Sequence, residues 1–340
     1  MKILSLSNQD LAKAAGAVSA GGLVVFPTET VYGLGGDAFN ISALARIFEI
    51  KNRPHFDPLI IHIADTAWLD RLVHWELMGS RAKEKLNILA KHFWPGPLTL
   101  VLPKRPELPD LATGGLQTAA IRFPAFEAAR KLISLSKKAV AAPSANPFGF
   151  LSPTRAGHVC PQLGDKADFV IDGGRAVLGL ESTVLDLSDG GPRILRRGAL
   201  SLEKIEALIG PVETPEPAET GTALKSPGRL KSHYAPRTPL CLYPYGGLAA
   251  LPEISDAKSL GEGRLYFSGP QDTAGGRIRT LSPVGNLTEA AANFFDMLHE
   301  LDKMGLSLIR AEEAPQHGLG AAINDRLRRA AAAFNGAAGP

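Results

Sequence analysis

The chain has 340 residues, 45% of them hydrophobic and 21% charged, the composition of a soluble globular protein with more length than one compact core usually holds, so two domains are expected. A formal net charge of +3 gives no global electrostatic argument for nucleic acid as the main partner. The two cysteines, Cys160 and Cys241, form no CxxC pair, which argues against a disulfide framework or zinc ribbon, and no apolar stretch is long enough for a signal segment or membrane span; a cytoplasmic protein with no membrane partner is expected.

In chain order, Asn8 caps a helix running to about Ser19, with Leu11, Ala15 and Val18 at helical spacing, and Gly21-Gly22 ends it. A strand over 23–26 runs into the polar turn Pro27-Thr28-Glu29-Thr30. A helix over 43–50, capped by Asn40 or Ser42, follows. Lys51 and Arg53 then stand just before a nearly all-apolar strand, 59–63, which reads as buried on both faces. Residues 66–92 read as helical, with Trp68, Leu72 and Trp75 on one stripe, until Trp94-Pro95-Gly96-Pro97 breaks the pattern. Strands over 98–102 and 118–123 flank a loop rich in Pro and Gly, and a helix over 126–135 leads to a strand over 139–142. The long turn from Pro143 to Thr154 excludes regular structure, and a loop of that length is often functional. Strands over 169–171, 182–187 and 193–195 and a helix over 202–209 complete the first domain, residues 1–210.

The composition shifts after that helix. Pro211, Pro215 and Pro217, with Glu and Thr and almost no large apolar side chains, mark a linker, which continues through Ser226-Pro227-Gly228 to His233-Tyr234-Ala235-Pro236. It spans 211–239. Strands over 240–243, 264–267 and 306–309 alternating with helices over 288–304 and 319–334 make a second small α/β domain, 240–340.

Several positions invite chemistry. Lys51 and Arg53 read most simply as a solvated helix end, yet Pro54 and Pro58 hold the following connection extended before a buried strand, and fixed cations at a strand end suit polyphosphate. His62 is either a satisfied core histidine or, on the strand face opposite Ile61 and Ile63, a pocket residue. Arg122 closes an apolar strand and needs a partner, either an internal carboxylate or an anionic ligand. Ser144, Asn146 and Ser152 offer hydroxyls, an amide and backbone N–H groups that can cradle phosphate or read a base edge, or simply cap a turn. Gly33-Leu34-Gly35-Gly36 lacks the spacing of a dinucleotide fingerprint. No P-loop, GxSxG elbow, His-Glu-x-x-His or Cys/His ligand set occurs. These residues point to binding and positioning of a nucleotide rather than hydrolysis by a triad.

Taken in order, Pro27-Thr28-Glu29-Thr30-Val31-Tyr32-Gly33-Leu34-Gly35, Lys51-Asn52-Arg53-Pro54, Trp94-Pro95-Gly96-Pro97-Leu98-Thr99, Ala142-Pro143-Ser144-Ala145-Asn146, Ser152-Pro153-Thr154, Ile171-Asp172-Gly173-Gly174 and Glu181-Ser182-Thr183-Val184 resemble the YrdC-like family of L-threonylcarbamoyladenylate synthases. The segment from Ser226 onward resembles that family's long two-domain form. The resemblance implies a YrdC-like twisted mixed sheet with flanking helices, plus a small Rossmann-like α/β domain. It also implies a reaction in which L-threonine, bicarbonate and ATP give L-threonylcarbamoyl-AMP and pyrophosphate, for the threonylcarbamoyl modification of tRNA adenosine 37. Carried over by motif, Thr30, His62, Arg122, Ala142 and Ser182 would hold L-threonine. Lys51, Arg53, Asp57, Thr118, Ser144, Asn146, Ser152, Arg196 and Tyr234 would hold ATP, with Lys51 and Arg53 as the catalytic cations and the linker as a lid. No metal ligands are implied beyond Mg²⁺ travelling with ATP; tRNA and the threonylcarbamoyl-transferase machinery are the implied partners. Asp57 stands where the family has Asn, and Phe148 where it often has Ser. Two other readings compete. One is a double-stranded RNA or tRNA-binding module without catalysis, against which the low net charge argues. The other is a synthase acting on a different carbamate, whose relatives carry zinc-finger and acylphosphatase-like domains for which this chain has no spare length.

Overall fold

The computed structural model describes residues 1–214, 233–251, 261–270 and 276–334. The expected Ser226-Pro227-Gly228 motif and linker residues 215–232 lie outside the described residues. The chain divides into two compact units, one of residues 1–148, 153–177 and 181–229, the other of residues 149–152, 178–180 and 230–340.

The first unit runs β1 (Lys2–Leu4), α1 (Asn8–Ser19), β2 (Val24–Phe26), β3 (Gly33–Asp37), α2 (Ile41–Lys51), β4 (Ile60–His62), α3 (Ser80–Phe93), β5 (Leu98–Pro103), α4 (Asp110–Thr113), β6 (Thr118–Arg122), α5 (Glu127–Ser136), β7 (Val140–Ala141), α6 (Ala156–Leu163), β8 (Phe169–Ile171), β9 (Thr183–Asp186), β10 (Arg193–Arg196) and α7 (Leu202–Ile209). The strands form one mixed sheet in the order β1-β8-β2-β3-β7-β4-β6-β5-β9-β10. One face packs Ile61, Leu100, Ile121 and Leu185 against Ile47 and Phe48 of α2, Leu86 and Leu89 of α3 and Ile205 of α7. On the other face, α1 and α5 cover Val24, Phe26, Val140, Ala142 and Ile171. Farther along that face, β4, β6, β5 and β9 carry a small apolar patch that includes Ile60, Ala120, Val101 and Val184, and the candidate site borders it.

The second unit runs β11 (Leu240–Tyr243), β12 (Glu262–Tyr266), β13 (Ile278–Thr280), α8 (Leu287–Asp302), β14 (Leu308–Glu312) and α9 (Leu319–Ala332). Its sheet, β11-β14-β12-β13, is parallel throughout.

Two local expectations are corrected, and three strands were missed. The cap of α1 is Ser7, whose hydroxyl accepts from the Asp10 N–H, so Asn8 is the first helical residue. Residues 66–92 are not one helix: two 3₁₀ turns, Thr66–Arg71 and Trp75–Leu77, precede α3. Asp65 caps the first of these turns, and Asp70 accepts from the Trp75 indole N–H, local bonds that compete with a continuous helix. Edge strand β1, pairing in parallel with β8, and β13 are too short to stand out in sequence.

The largest omission is β3, where three of five residues are glycine, a composition that reads as a loop. Here glycine is required by proximity. A Cβ on Gly35 would lie 2.6 Å from the Phe26 ring and 2.7 Å from Val140 Cγ1, and one on Gly36 would lie 2.7 Å from Leu23 Cδ2. Neighbouring side chains fill the space that β3 leaves, and this brings the turn 27–32 down onto the end of the sheet. Gly35→Ala is therefore expected to cost about 1–3 kcal/mol through overpacking. Urea unfolding followed by fluorescence reads this directly, because Trp68, Trp75 and Trp94 all lie in the first unit; an unchanged midpoint would show that the strand has slack.

Candidate active site

The site is built from strand register. Parallel pairing of β4 with β6 sets His62 beside Arg122, and antiparallel pairing of β5 with β6 sets Thr99 on the other side of Arg122. Directly paired residues share a face, so His62, Arg122 and Thr99 form a polar row across three strands. Thr99 Oγ1 lies 2.7 Å from Ser182 Oγ. Arg196 continues the row, donating to the Ser182 carbonyl at 2.9 Å and to its hydroxyl at 3.2 Å.

The turn between β2 and β3 closes over Arg122. Its guanidinium donates to Thr30 Oγ1 at 2.8 Å, to Glu29 Oε1 at 2.6 Å and to the Gly96 carbonyl at 3.3 Å. Thr28 braces this turn, with its hydroxyl 2.8 Å from that of Thr30 and donating to the Val31 carbonyl at 2.6 Å. All of these side chains are buried. Burial alone would raise the Glu29 carboxyl, but the charge and hydrogen bond of Arg122 overcome it and leave Glu29 below the usual carboxylate range. Of the two partners open to Arg122 in the sequence, the internal carboxylate exists, and it is Glu29.

His62 is held neutral. Burial and then the Arg122 charge push its pKa down to about 3. Its Nδ1 lies 3.2 Å from the Ile60 carbonyl, and Phe26 stands edge-on at 5.9 Å.

A second group gathers at the C-terminus of α2. Lys51 is buried, and its ammonium donates to the Ser144 carbonyl at 2.6 Å and to the Asn146 carbonyl. Burial, followed by the charge of Arg53, drives its pKa well below the ordinary lysine value. The solvated-helix-end reading thus fails for Lys51. Arg53 donates to the carbonyls of Asp57 at 3.1 Å and Pro58 at 2.9 Å, and its Nη2 lies 2.8 Å from Asp57 Oδ2. That last contact is an ion pair without hydrogen-bond alignment, and neither Asp57 carboxylate oxygen has a hydrogen bond. Burial raises the Asp57 pKa against the opposing charges of Arg53, Lys51 and Arg196. Arg196 therefore faces both groups: it bonds Ser182 and acts on Asp57. Phe148, at the position where Ser was expected, lays its ring 5.8 Å from the Arg53 guanidinium carbon, and its N–H donates to the Lys51 carbonyl at 2.8 Å.

The first unit thus brings together Thr30, His62, Arg122, Ser182 and Arg196 on one side and Lys51, Arg53, Asp57, Ser144 and Asn146 on the other. Ala142 lies beside them, its N–H already donated to the Ile60 carbonyl at 2.9 Å, which leaves its own carbonyl as the backbone group it can offer. Thr118 is at the far end of β6 from Arg122, about 13 Å along the strand. Ser152 and Tyr234 belong to the second unit. There the Ser152 carbonyl lies 3.1 Å from His299 Nε2, and Tyr234 is buried at a φ of +63° with the Arg326 guanidinium carbon 5.3 Å from its ring. Glu29 and Thr99 were not singled out as site residues in the sequence. Both lie inside motifs that were, and the signal available was a buried Arg122 in need of a partner.

Among the described residues, no group of three or more His, Cys, Asp or Glu is placed to hold a metal ion, and no helix is long and apolar enough to cross a membrane.

Residues 16–198 match the family described as telomere recombination (Sua5, YciO and YrdC), and residues 200–332 match the one described as the C-terminal domain of threonylcarbamoyl-AMP synthase. The threonylcarbamoyl-AMP synthase of Pyrococcus abyssi is 43% identical over 93% of this chain and 92% of its own length. The chain belongs to the threonylcarbamoyl-AMP synthase family. The Bacillus subtilis synthase is 39% identical over 96% of this chain and 94% of its own. The crystal structure of P. abyssi Sua5 complexed with L-threonine superposes with a TM-score of 0.87 at 38% identity, covering 97% of this chain and 98% of that one. The mixed α/β architecture with a second, parallel-sheet domain is therefore that of the family.

The neutral state of His62 has a consequence for stability. The unfolded chain binds a proton at this residue near pH 6.5 and the folded chain does not until about pH 3. Stability is therefore lost as pH falls below about 6.5, by up to about 1.4 kcal/mol per pH unit. His62→Gln is expected to reduce the loss between pH 6.5 and 4.5 by about 2 kcal/mol, read by urea unfolding at each pH. Parallel pH profiles for the two proteins would refute the assignment.

Proposed function

We propose that the protein makes L-threonylcarbamoyl-AMP from L-threonine, bicarbonate and ATP, releasing pyrophosphate, and that the product serves threonylcarbamoyl modification of tRNA adenosine 37. The observation that carries this reading is that Arg196, bonded to Ser182 in the Arg122 row, also acts on Asp57 in the Lys51–Arg53–Asp57 cluster at the end of α2. An amino acid and a nucleotide brought to these two groups would meet at Ser182 and Arg196.

In this reading Arg122 takes the threonine carboxylate, with Thr30, Ser182 and the Ala142 carbonyl as its polar surroundings. The threonine amine adds to CO2 derived from bicarbonate, giving a carbamate and releasing a proton. A carbamate oxygen then attacks the α-phosphorus of ATP, and the α–β bridging oxygen leaves with pyrophosphate. No protein nucleophile is required. Arg53 and Arg196 supply fixed positive charge where negative charge builds up, incoming phosphates favour the charged form of Lys51 that burial opposes, and alignment provides most of the rest. His62, neutral and buried, shapes the pocket without adding a charge. Thr118, Ser144 and Asn146 are assigned to the nucleotide.

Mg²⁺ fits as an ion carried on the triphosphate. Asp57 offers a buried carboxylate with no hydrogen bond, an oxygen donor of the kind magnesium takes, and when bound the ion would offset phosphate charge.

Two variants test the division into two halves. Lys51→Ala is expected to cut incorporation of labelled bicarbonate into an adenylate by at least about 100-fold while L-threonine still binds by calorimetry. Arg122→Gln is expected to lose L-threonine binding itself. Normal adenylate formation by either variant would remove that residue from the mechanism, and labelling that requires serine rather than threonine would change the substrate.

A further inference from the structure

We propose that Glu29 is a specificity-determining residue: by balancing the Arg122 charge it makes the amino-acid pocket select a zwitterion over a carboxylate lacking an ammonium group. The inference rests on the reading of Arg122 as the carboxylate-binding cation and extends it.

Arg122 alone would make a poor discriminator. A buried, unbalanced guanidinium attracts any small carboxylate, and a monoanion more strongly than a zwitterion, because the zwitterion's ammonium is repelled. The structure does not leave it alone. Glu29 Oε1 sits 2.6 Å from Nη2, and both side chains are buried. The other titratable neighbour, His62, is neutral in this setting, so Glu29 carries the counter-charge. Arg196, the other cation of the row, stands beyond Thr99 and Ser182, hydrogen-bonded to Ser182 and acting on Asp57, so Glu29 is the carboxylate in direct contact with Arg122.

Arg122 keeps hydrogen-bonding capacity for a ligand. Glu29, Thr30 and the Gly96 carbonyl take three of the five guanidinium N–H groups. The remaining N–H groups are available to an incoming carboxylate. That carboxylate then stands near the Glu29 carboxylate, a repulsion that a ligand ammonium offsets and a hydroxyl in its place does not. A pocket holding one buried cation and one buried anion is complementary to a molecule that holds one of each. Glu29 therefore does two things. It fixes the guanidinium, and it makes a lone carboxylate an unfavourable guest.

The test compares two ligands that differ at one group. L-Threonine and (2S,3R)-2,3-dihydroxybutanoate share the carboxylate, the side-chain hydroxyl and the methyl group, and only threonine has the ammonium. Binding of each to the full-length protein is measured by calorimetry at neutral pH without ATP. The wild type is expected to favour threonine, and Glu29→Gln, which keeps an oxygen acceptor for Arg122, is expected to reduce that preference by at least about tenfold. A purely structural role for Glu29 would weaken both ligands together and leave the ratio unchanged, and that result overturns the proposal. Glu29→Asp retains the charge and is expected to hold the ratio within about threefold while weakening both ligands. Loss of the preference in this variant also overturns the proposal, and the variant provides the test if Glu29→Gln does not fold. Failure of the wild type to bind threonine at all would instead overturn the reading of the pocket on which the inference rests, so the two failures are distinguishable.

Discussion

A guanidinium buried in the middle of a β-sheet is the constraint to which the rest of the first unit responds. Arg122 would cost several kcal/mol if left unpaired. Its solution draws on elements far apart in sequence: Glu29 and Thr30 from the turn after β2, and the Gly96 carbonyl from the break after α3. The turn can reach the sheet because β3, which follows it, is narrow enough to lie against Phe26 and Val140. Thr28 holds the turn in shape, and Thr99 passes the polar row on to Ser182. Fold and site are the same set of contacts seen from two sides.

The Lys51 cluster has the opposite character. Lys51 is buried against carbonyl oxygens, and the nearby carboxylate, Asp57, is paired to Arg53 without hydrogen-bond alignment. Burial works against the charged form of both Lys51 and Asp57. Such an arrangement is poorly satisfied by the protein itself, and it suits a site whose missing charges arrive with a polyphosphate. Where Arg122 is balanced internally, these residues wait for their balance.

Much of this was legible in the sequence, and the failures have physical causes. Helices α1, α2, α5 and α7 show helical spacing with capping or breaking residues, and their ends fall within two residues of expectation. β3 was invisible because glycine in a strand is justified by what its neighbours occupy, not by its own propensity. The break at 66–79 depended on local side-chain hydrogen bonds that spacing does not reveal. Among site residues, Arg122 stood out as a cation closing an apolar strand, and Lys51 and Arg53 as cations just before one. Glu29 did not, because a carboxylate in a polar turn looks solvated until the strand that buries it is placed.

The row His62–Arg122–Thr99 has one more consequence. Side chains alternate along each strand, so a slip of one residue in the pairing of β6 would turn Arg122 toward the face where Ile121 now packs with Ile61 and Leu100. The slipped sheet would retain its backbone ladder, but it would place a charge in an apolar layer and leave Glu29 without a counter-ion. The buried charges therefore guard the alignment of the strands during folding, and a chain that folded out of step would be the less stable for carrying them.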